Sequence, residues 1–237
     1  MKILVYALVA CIAGCTSDRD DLPVVVGGGG GSLVAPGTAV THGGLPILIG
    51  RVCLIADPRV LDGCAVTGAG GFVVALGTSS AVTTSDGTFQ IVQPVTPVPA
   101  FSVTGVGIVP ATQPVAVVNT IPVMTADLFG QVLAANGITL TQGSGTILAS
   151  VVDRGGNPVT GATATSTPSP AFGPFFDGTT PTAWTLNGTG ARGVVLFPGV
   201  VAGPATATFD LGSSGESTVD GIQVVDGGIT IVDAVLP

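Results

Sequence analysis

The sequence predicts an all-β chain: two tandem β-sandwich domains joined by one short helix, after a flexible Gly-rich tether. Gly, Val, Thr, Ala and Pro dominate the 237 residues, and only 8% are charged. That mix favours short strands and many turns. From Leu45 onward, short apolar runs alternate with turns carrying Gly, Pro, Asn and Asp, the punctuation of strands. Only one later stretch has the 3.6-residue spacing of an amphipathic helix. High hydropathy does not imply later membrane spans, because Gly, Pro or a polar residue interrupts every apolar run well short of the roughly 20 residues required.

At the N-terminus, Lys2 precedes the apolar stretch Ile3 to Ala13, a secretory-signal layout too short to span a bilayer. Its end, Ile12-Ala13-Gly14-Cys15, resembles the lipobox of bacterial lipoprotein precursors. The resemblance implies diacylglyceryl transfer to the Cys15 sulfur, cleavage between Gly14 and Cys15, and acylation of the new amino terminus. Cys11 falls within the removed peptide. Thr16, unlike an aspartate, leaves the outer membrane open as destination. The expected location is therefore the bacterial cell envelope, as an outer membrane lipoprotein whose periplasmic or surface side stays open. Residues 1–14 are the signal peptide and 15–44 a lipid-anchored tether, whose five consecutive glycines cannot offset the entropy of ordering.

Residues 45–121 read as the first β-sandwich. "LPILIGRVCLI" and "GGFVVALG" are strands, "AVTTSDGTFQIV" is strand, Asp86-Gly87 turn, strand, and "FSVTGVGIVPA" and "QPVAVVN" supply two more. Cys53 and Cys64 lie eleven positions apart, with turn signals Asp57-Pro58 and Asp62-Gly63 between them. In an oxidising compartment this pair reads as a disulfide, contributing about 3 kcal/mol in the chain-entropy model. Residues 122–143 form the helical connector. Met124, Leu128, Val132 and Leu133 share one face, Thr125 caps the start, and Asn136-Gly137 ends it. Residues 144–237 read as the second sandwich, with a Pro- and Phe-rich irregular insert and a hairpin at Asp226-Gly227.

The halves repeat weakly. Gly50-Arg51-Val52, "LDGCAV" and "TTSDGTFQI" in the first correspond to Gly145-Thr146-Ile147, "PVTGATA" and "GTGARGVVLF" in the second. At these positions both resemble the carboxypeptidase regulatory-like domain, a transthyretin-like β-sandwich of about seven strands. Cys64 stands where that family usually has alanine. Ala191-Arg192-Gly193 stands where Asp-Gly is expected, so an immunoglobulin-like sandwich is the alternative for the second unit. These motifs are mostly turn residues and speak to fold rather than function.

The chemistry is sparse, and the expectation is that the chain is not an enzyme. A Ser-His-Asp triad would need His42, the only histidine, which falls in the tether. The fourteen acids are nearly all Asp, and most sit beside Gly or Arg in expected turns, where they bond their own backbone. Asp220, Asp226 and Asp233 lack the spacing of a calcium loop, so no metal and no cofactor are expected. Five scattered arginines and one lysine make no basic patch for nucleic acid. Expected partners are the membrane, through the lipid anchor, and an envelope protein or polysaccharide. The expected role is structural, adhesive or protein-interacting. The alternative is a carbohydrate-binding module stacking sugars on Trp184 with Phe172, Phe175 and Phe176. The competing reading packs those rings between layers, and the exposure of Trp184 separates the two.

Overall fold

The computed structural model describes residues 41–42, 45–64, 69–96, 98–115 and 120–237, all within one compact unit, Ser32–Pro237. The first half contains β1 (Thr41–His42), β2 (Leu45–Leu54), β3 (Val73–Leu76), β4 (Ser79–Val82), β5 (Thr88–Val92), β6 (Ala100–Thr104), β7 (Ala111–Pro114) and β8 (Thr120–Val123). The helix α1 (Ala126–Ala135) follows. The second half contains β9 (Ser144–Val152), β10 (Thr163–Thr167), β11 (Phe175–Asp177), β12 (Trp184–Thr185), β13 (Val194–Val201), β14 (Gly203–Asp210), β15 (Glu216–Val224) and β16 (Ile229–Val235). The chain is all-β apart from α1 and one short 3-10 turn among the described residues.

The two halves repeat one plan. In the first, β2 pairs antiparallel with β5 and parallel with β8, while β3, β6 and β7 form an antiparallel run. In the second, β9 pairs antiparallel with β13 and parallel with β16, while β10, β14 and β15 form the matching run. The turns match bond for bond. Gly87 O accepts from Val52 N at 2.8 Å, as Gly193 O accepts from Val151 N at 2.7 Å. The Thr83 hydroxyl accepts from Phe72 N and donates to Ala69 O. The Thr189 hydroxyl does the same with Ala162 N and Val159 O.

This match corrects the register of the sequence repeat. Val52 corresponds to Val151, so Gly50 has no partnership with Gly145, and Gly71 rather than Gly63 corresponds to Gly161. It also isolates two unmatched insertions. The first unit carries an extra loop after β2, which includes Cys64, bridged back to Cys53 within β2. The second carries an extra segment between β10 and Thr189, which includes β11 and β12.

The sandwiches do not hang on a bare linker. The parallel pair β16·β7, with Ile229 opposite Ala111 and Thr230 opposite Thr112, joins a layer of one to a layer of the other. The result is a nine-stranded sheet ordered β12-β11-β13-β9-β16-β7-β6-β3-β4. Alternate residues of its central strands enter different cores. Ile147, Ala149, Val195, Phe197, Val232 and Ala234 face the second core against β14 and β15. Leu148, Val194, Leu196, Ile229 and Ile231 join the first core, with Phe129 and Val132 of α1 and Trp184. Burial on both faces explains why these strands read as continuous apolar runs.

Three local readings change. Asp86-Gly87 and Asp226-Gly227 are turns, but neither closes a hairpin. β4 lies in the nine-stranded sheet and β5 in the four-stranded one, while β15 and β16 likewise belong to different sheets. Each turn is an arch between layers, because the flanking strands bury their apolar faces in a shared core instead of pairing edge to edge. The residues read as the end of the tether are partly sheet, since His42 pairs with Leu45. The helix forms where expected: the Thr125 hydroxyl accepts from Leu128 N at 3.1 Å, and Asn136 with Gly137 ends it. Its buried pair is Phe129 and Val132, with Leu128 and Leu133 only partly covered.

Candidate functional site

The two unmatched insertions meet. The first is tied at its base by the bridge from Cys53, in β2, to Cys64 eleven positions on, with Cα atoms 4.8 Å apart. The loop between them is folded by short backbone bonds: Val60 N to Asp57 O, Gly63 N to Val60 O, and Cys64 N to Asp62 O. Asp57 lies at its near end and accepts from Arg59 three times, from the backbone N–H at 3.0 Å, Nε at 2.9 Å and Nη2 at 2.7 Å. This fork holds the guanidinium so that Nη1 donates to Gly178 O at 2.7 Å. Gly178 opens the second insertion's strap, residues 178–184, which links β11 to β12.

The strap is tied at both ends. A Cβ on Gly178 would stand 2.0 Å from Ala183 O, so only glycine lets the strap fold back on itself. Ala183 N donates to the Thr180 hydroxyl. The Trp184 indole donates to Pro181 O at 3.1 Å. Asn136, the residue ending α1, donates through Nδ2 to Thr182 O at 2.9 Å and accepts from Trp184 N. Just before the strap, Asp177 is 3% exposed and accepts from Gly190 N, Arg192 N and Val194 N at 2.8, 2.8 and 3.0 Å. Three backbone donors on one buried carboxylate fix β11 against the start of β13. Asp177 and Arg59 were not singled out in the sequence, where the one looks like any Asp-Gly turn and the other like an isolated charge.

The four aromatic rings do not form one exposed face, and the burial of Trp184 favours the packing reading over the carbohydrate-stacking one. Trp184 is only 8% exposed and belongs to the first core, while Phe176 is 3% exposed and belongs to the second. Phe175 packs against the first core, from the neighbouring position on β11. Phe172 is partly covered, and its N–H donates to Pro198 O. Alternation along β11 sends consecutive rings to opposite sides of the sheet. Cys15, Gly14 and the anchor segment lie outside the described residues.

Other polar groups serve the framework. Asp226 accepts from Gly143 N, Asp220 from the Thr206 hydroxyl, and Asp153 from Gly155 N and Asn157 N. Among the described residues, no group of three or more His, Cys, Asp or Glu is placed to hold a metal ion. Asn187-Gly188-Thr189 matches an N-glycosylation acceptor pattern, and Asn187 is exposed, but the Thr189 hydroxyl is buried and committed to Val159 O. An open groove of about 600 Å³ beside α1 is lined by Gly130, Leu133, Ala134, Gly137, Ile138 and Leu140, with no titratable side chain among them.

Partial burial opposes the charge on Asp57. The hydrogen bonds and charge of Arg59, with a further contribution from Arg192, outweigh it and hold the carboxyl below its usual value of 3.8. The folded-state value is the depressed one, so the ion pair stabilises the fold above the unfolded value and loses that effect as pH falls through the folded one. The wild-type advantage over Asp57→Asn is expected to be full at neutral pH and to shrink as pH falls below the ordinary carboxyl value of 3.8 and through the lower folded one. Paired urea titrations along that range check it, and an advantage that grows on acidification would reverse the sign.

No protein-family model matches the chain, the carboxypeptidase regulatory-like family included. No curated protein matches it either. Among solved structures, the chain is similar to the Bacillus anthracis TIE protein, at 13% identity over 81% of this chain and 34% of that one, with a TM-score of 0.22. The chain spans about a third of that protein's length. It is also similar to GBS52, the minor pilin of Streptococcus agalactiae, at 9% identity over 80% of this chain and 96% of that one, with a TM-score of 0.27. A streptococcal ancillary pilin aligns at 10% identity over 80% of this chain and 68% of that one, with a TM-score of 0.25.

Proposed function

We propose that this chain is a lipid-anchored cell-envelope protein with a non-catalytic structural, adhesive or protein-interaction role, in which a stiff double sandwich is held away from the membrane. The observation that carries this reading is the continuous nine-stranded sheet. It fuses two repeat units into one body, and several charged side chains are spent on securing that body. Arg59 and Asp177 are used to fasten loops, and Asp153 and Asp226 to fix turns. Such a body suits a spacer or a display platform. The lipobox-like Ile12-Ala13-Gly14-Cys15 and the five glycines supply anchor and reach. The turn motifs at 50–52 and 86–89 support a carboxypeptidase regulatory-like ancestry for the first unit, and the bond-for-bond repeat extends it to the second.

Anchoring is tested by expressing the full chain in a bacterium and labelling with a palmitate analogue. The wild type is expected to carry label and sediment with membranes, while Cys15→Ser loses the label and stays in the supernatant. Unlabelled wild type, or label retained by Cys15→Ser, would contradict the assignment.

A further inference from the structure

The loop closed by the Cys53–Cys64 bridge and the strap carrying Trp184 have no counterpart in the opposite repeat unit, yet they are fastened to each other. We propose that the Cys53–Cys64 disulfide is a redox-controlled latch on the 178–184 strap. While the bridge is closed, Arg59 holds Gly178 and the strap covers the first core. When a dithiol reduces the bridge, the strap lifts and exposes the apolar surface beneath Trp184.

Each link in the latch is a named contact. The Cys53 and Cys64 sulfurs close the loop at its two ends. Outside the bridge, only an isolated pairing of Ile55 with Cys64 joins those ends across the described residues. Arg59, with its side chain 11% exposed, spans Asp57 and Gly178 O. The strap's far end carries Trp184, which belongs with Leu148, Val194 and Leu196 to the first core, against which Phe175 also packs. The sheet face carrying Leu148, Val194 and Leu196 would be solvent-exposed in an isolated two-layer sandwich. The strap is the loop of the β11–β12 hairpin, closed by only two residue pairs, Phe176 with Thr185 and Asp177 with Trp184. β12 is an edge strand, so this short ladder is among the segments that open locally before the central sheet does.

The chemistry balances with the dithiol as co-reactant. One of its thiolates attacks Sγ of Cys64, the less buried partner, and the Cys53 sulfur leaves and takes a proton. The second dithiol sulfur then displaces Cys64, which also leaves as a thiol. Two electrons pass to the protein, and the dithiol departs as its own disulfide.

The test uses the full chain carrying Cys11→Ser and Cys15→Ser, so that the only reducible pair is the bridge, with dithiothreitol as reductant. Trp184 is the sole tryptophan, and acrylamide quenching of its fluorescence reads strap opening. Hydrogen exchange of 178–184 is compared with that of 203–224. On reduction, exchange of the strap is expected to accelerate about tenfold or more and quenching to rise, while 203–224 keep their protection. Arg59→Ala should open the strap with the bridge intact, and reduction should then add little, as coupled parts of one device require. Reoxidation should close the wild-type strap again. A strap unmoved by reduction would overturn the latch. So would loosening of 178–184 and 203–224 together, which marks the bridge as a general stabiliser, or full additivity of reduction with Arg59→Ala.

Discussion

Asp177→Ala is expected to destabilise the chain by about 3 to 5 kcal/mol, among the largest effects of any single substitution in a polar residue here. Its carboxylate is buried and accepts from three backbone N–H groups, those of Gly190, Arg192 and Val194. Alanine leaves all three donors without that acceptor, and each buried donor left unpaired costs about 1 to 3 kcal/mol before any relaxation. Val194 N lies inside the fold and has the least access to water as a substitute. Asp177→Asn keeps the shape and one acceptor oxygen, so its cost should be roughly half. Urea denaturation of both variants measures the difference. Equal, small losses would mean that water replaces the carboxylate and that the β11–β13 junction is not held by it.

The second large effect concerns neighbouring residues on β13. Leu196 is 1% exposed and Phe197 0% exposed, yet strand alternation points them to opposite faces. Leu196 enters the first core and Phe197 the second, where its ring meets Phe209 edge-on at 6.1 Å. Truncation to alanine should cost about 2 to 5 kcal/mol at Leu196 and about 3 to 5 kcal/mol at Phe197. In a strand with one wet face, one of two consecutive truncations would be nearly free. The exposed Val201 of the same strand supplies that reference, since Val201→Ala should stay within about 0.5 kcal/mol. A Leu196→Ala variant as mild as Val201→Ala would show that the helix and strap do not cover that face.

What was legible in the sequence followed from local chemistry. Thr125 and Asn136-Gly137 bound the helix because a hydroxyl at its start and glycine beyond its end satisfy backbone groups whatever surrounds them. Cys53 and Cys64 pair because their spacing and the turns between them bring them together. The runs of β9, β13 and β16 carry burial on both faces in their composition. What was not legible depends on partners far along the chain. Asp86-Gly87 and Asp226-Gly227 fix a change of direction, but whether the next strand pairs or crosses to another layer is decided by where its apolar face is covered. Trp184 and the Phe residues gave a count of rings and not the side of β11 each one takes. Arg59 reaches across 119 positions to a backbone carbonyl, which leaves no pattern in either segment. The repeat was visible in its glycines, but its register came from the matching bonds of Gly87 with Gly193 and of Thr83 with Thr189.

The proposed stiff platform requires the two sandwiches to behave as one body through β16·β7, the helix and the strap. Differential scanning calorimetry of the oxidised full chain carrying Cys15→Ser tests this most directly. A single transition, with calorimetric enthalpy equal to the van't Hoff value, is the expected result. Two separated transitions, or a calorimetric enthalpy about twice the van't Hoff value, would contradict it: the halves would then be independent domains on a hinge.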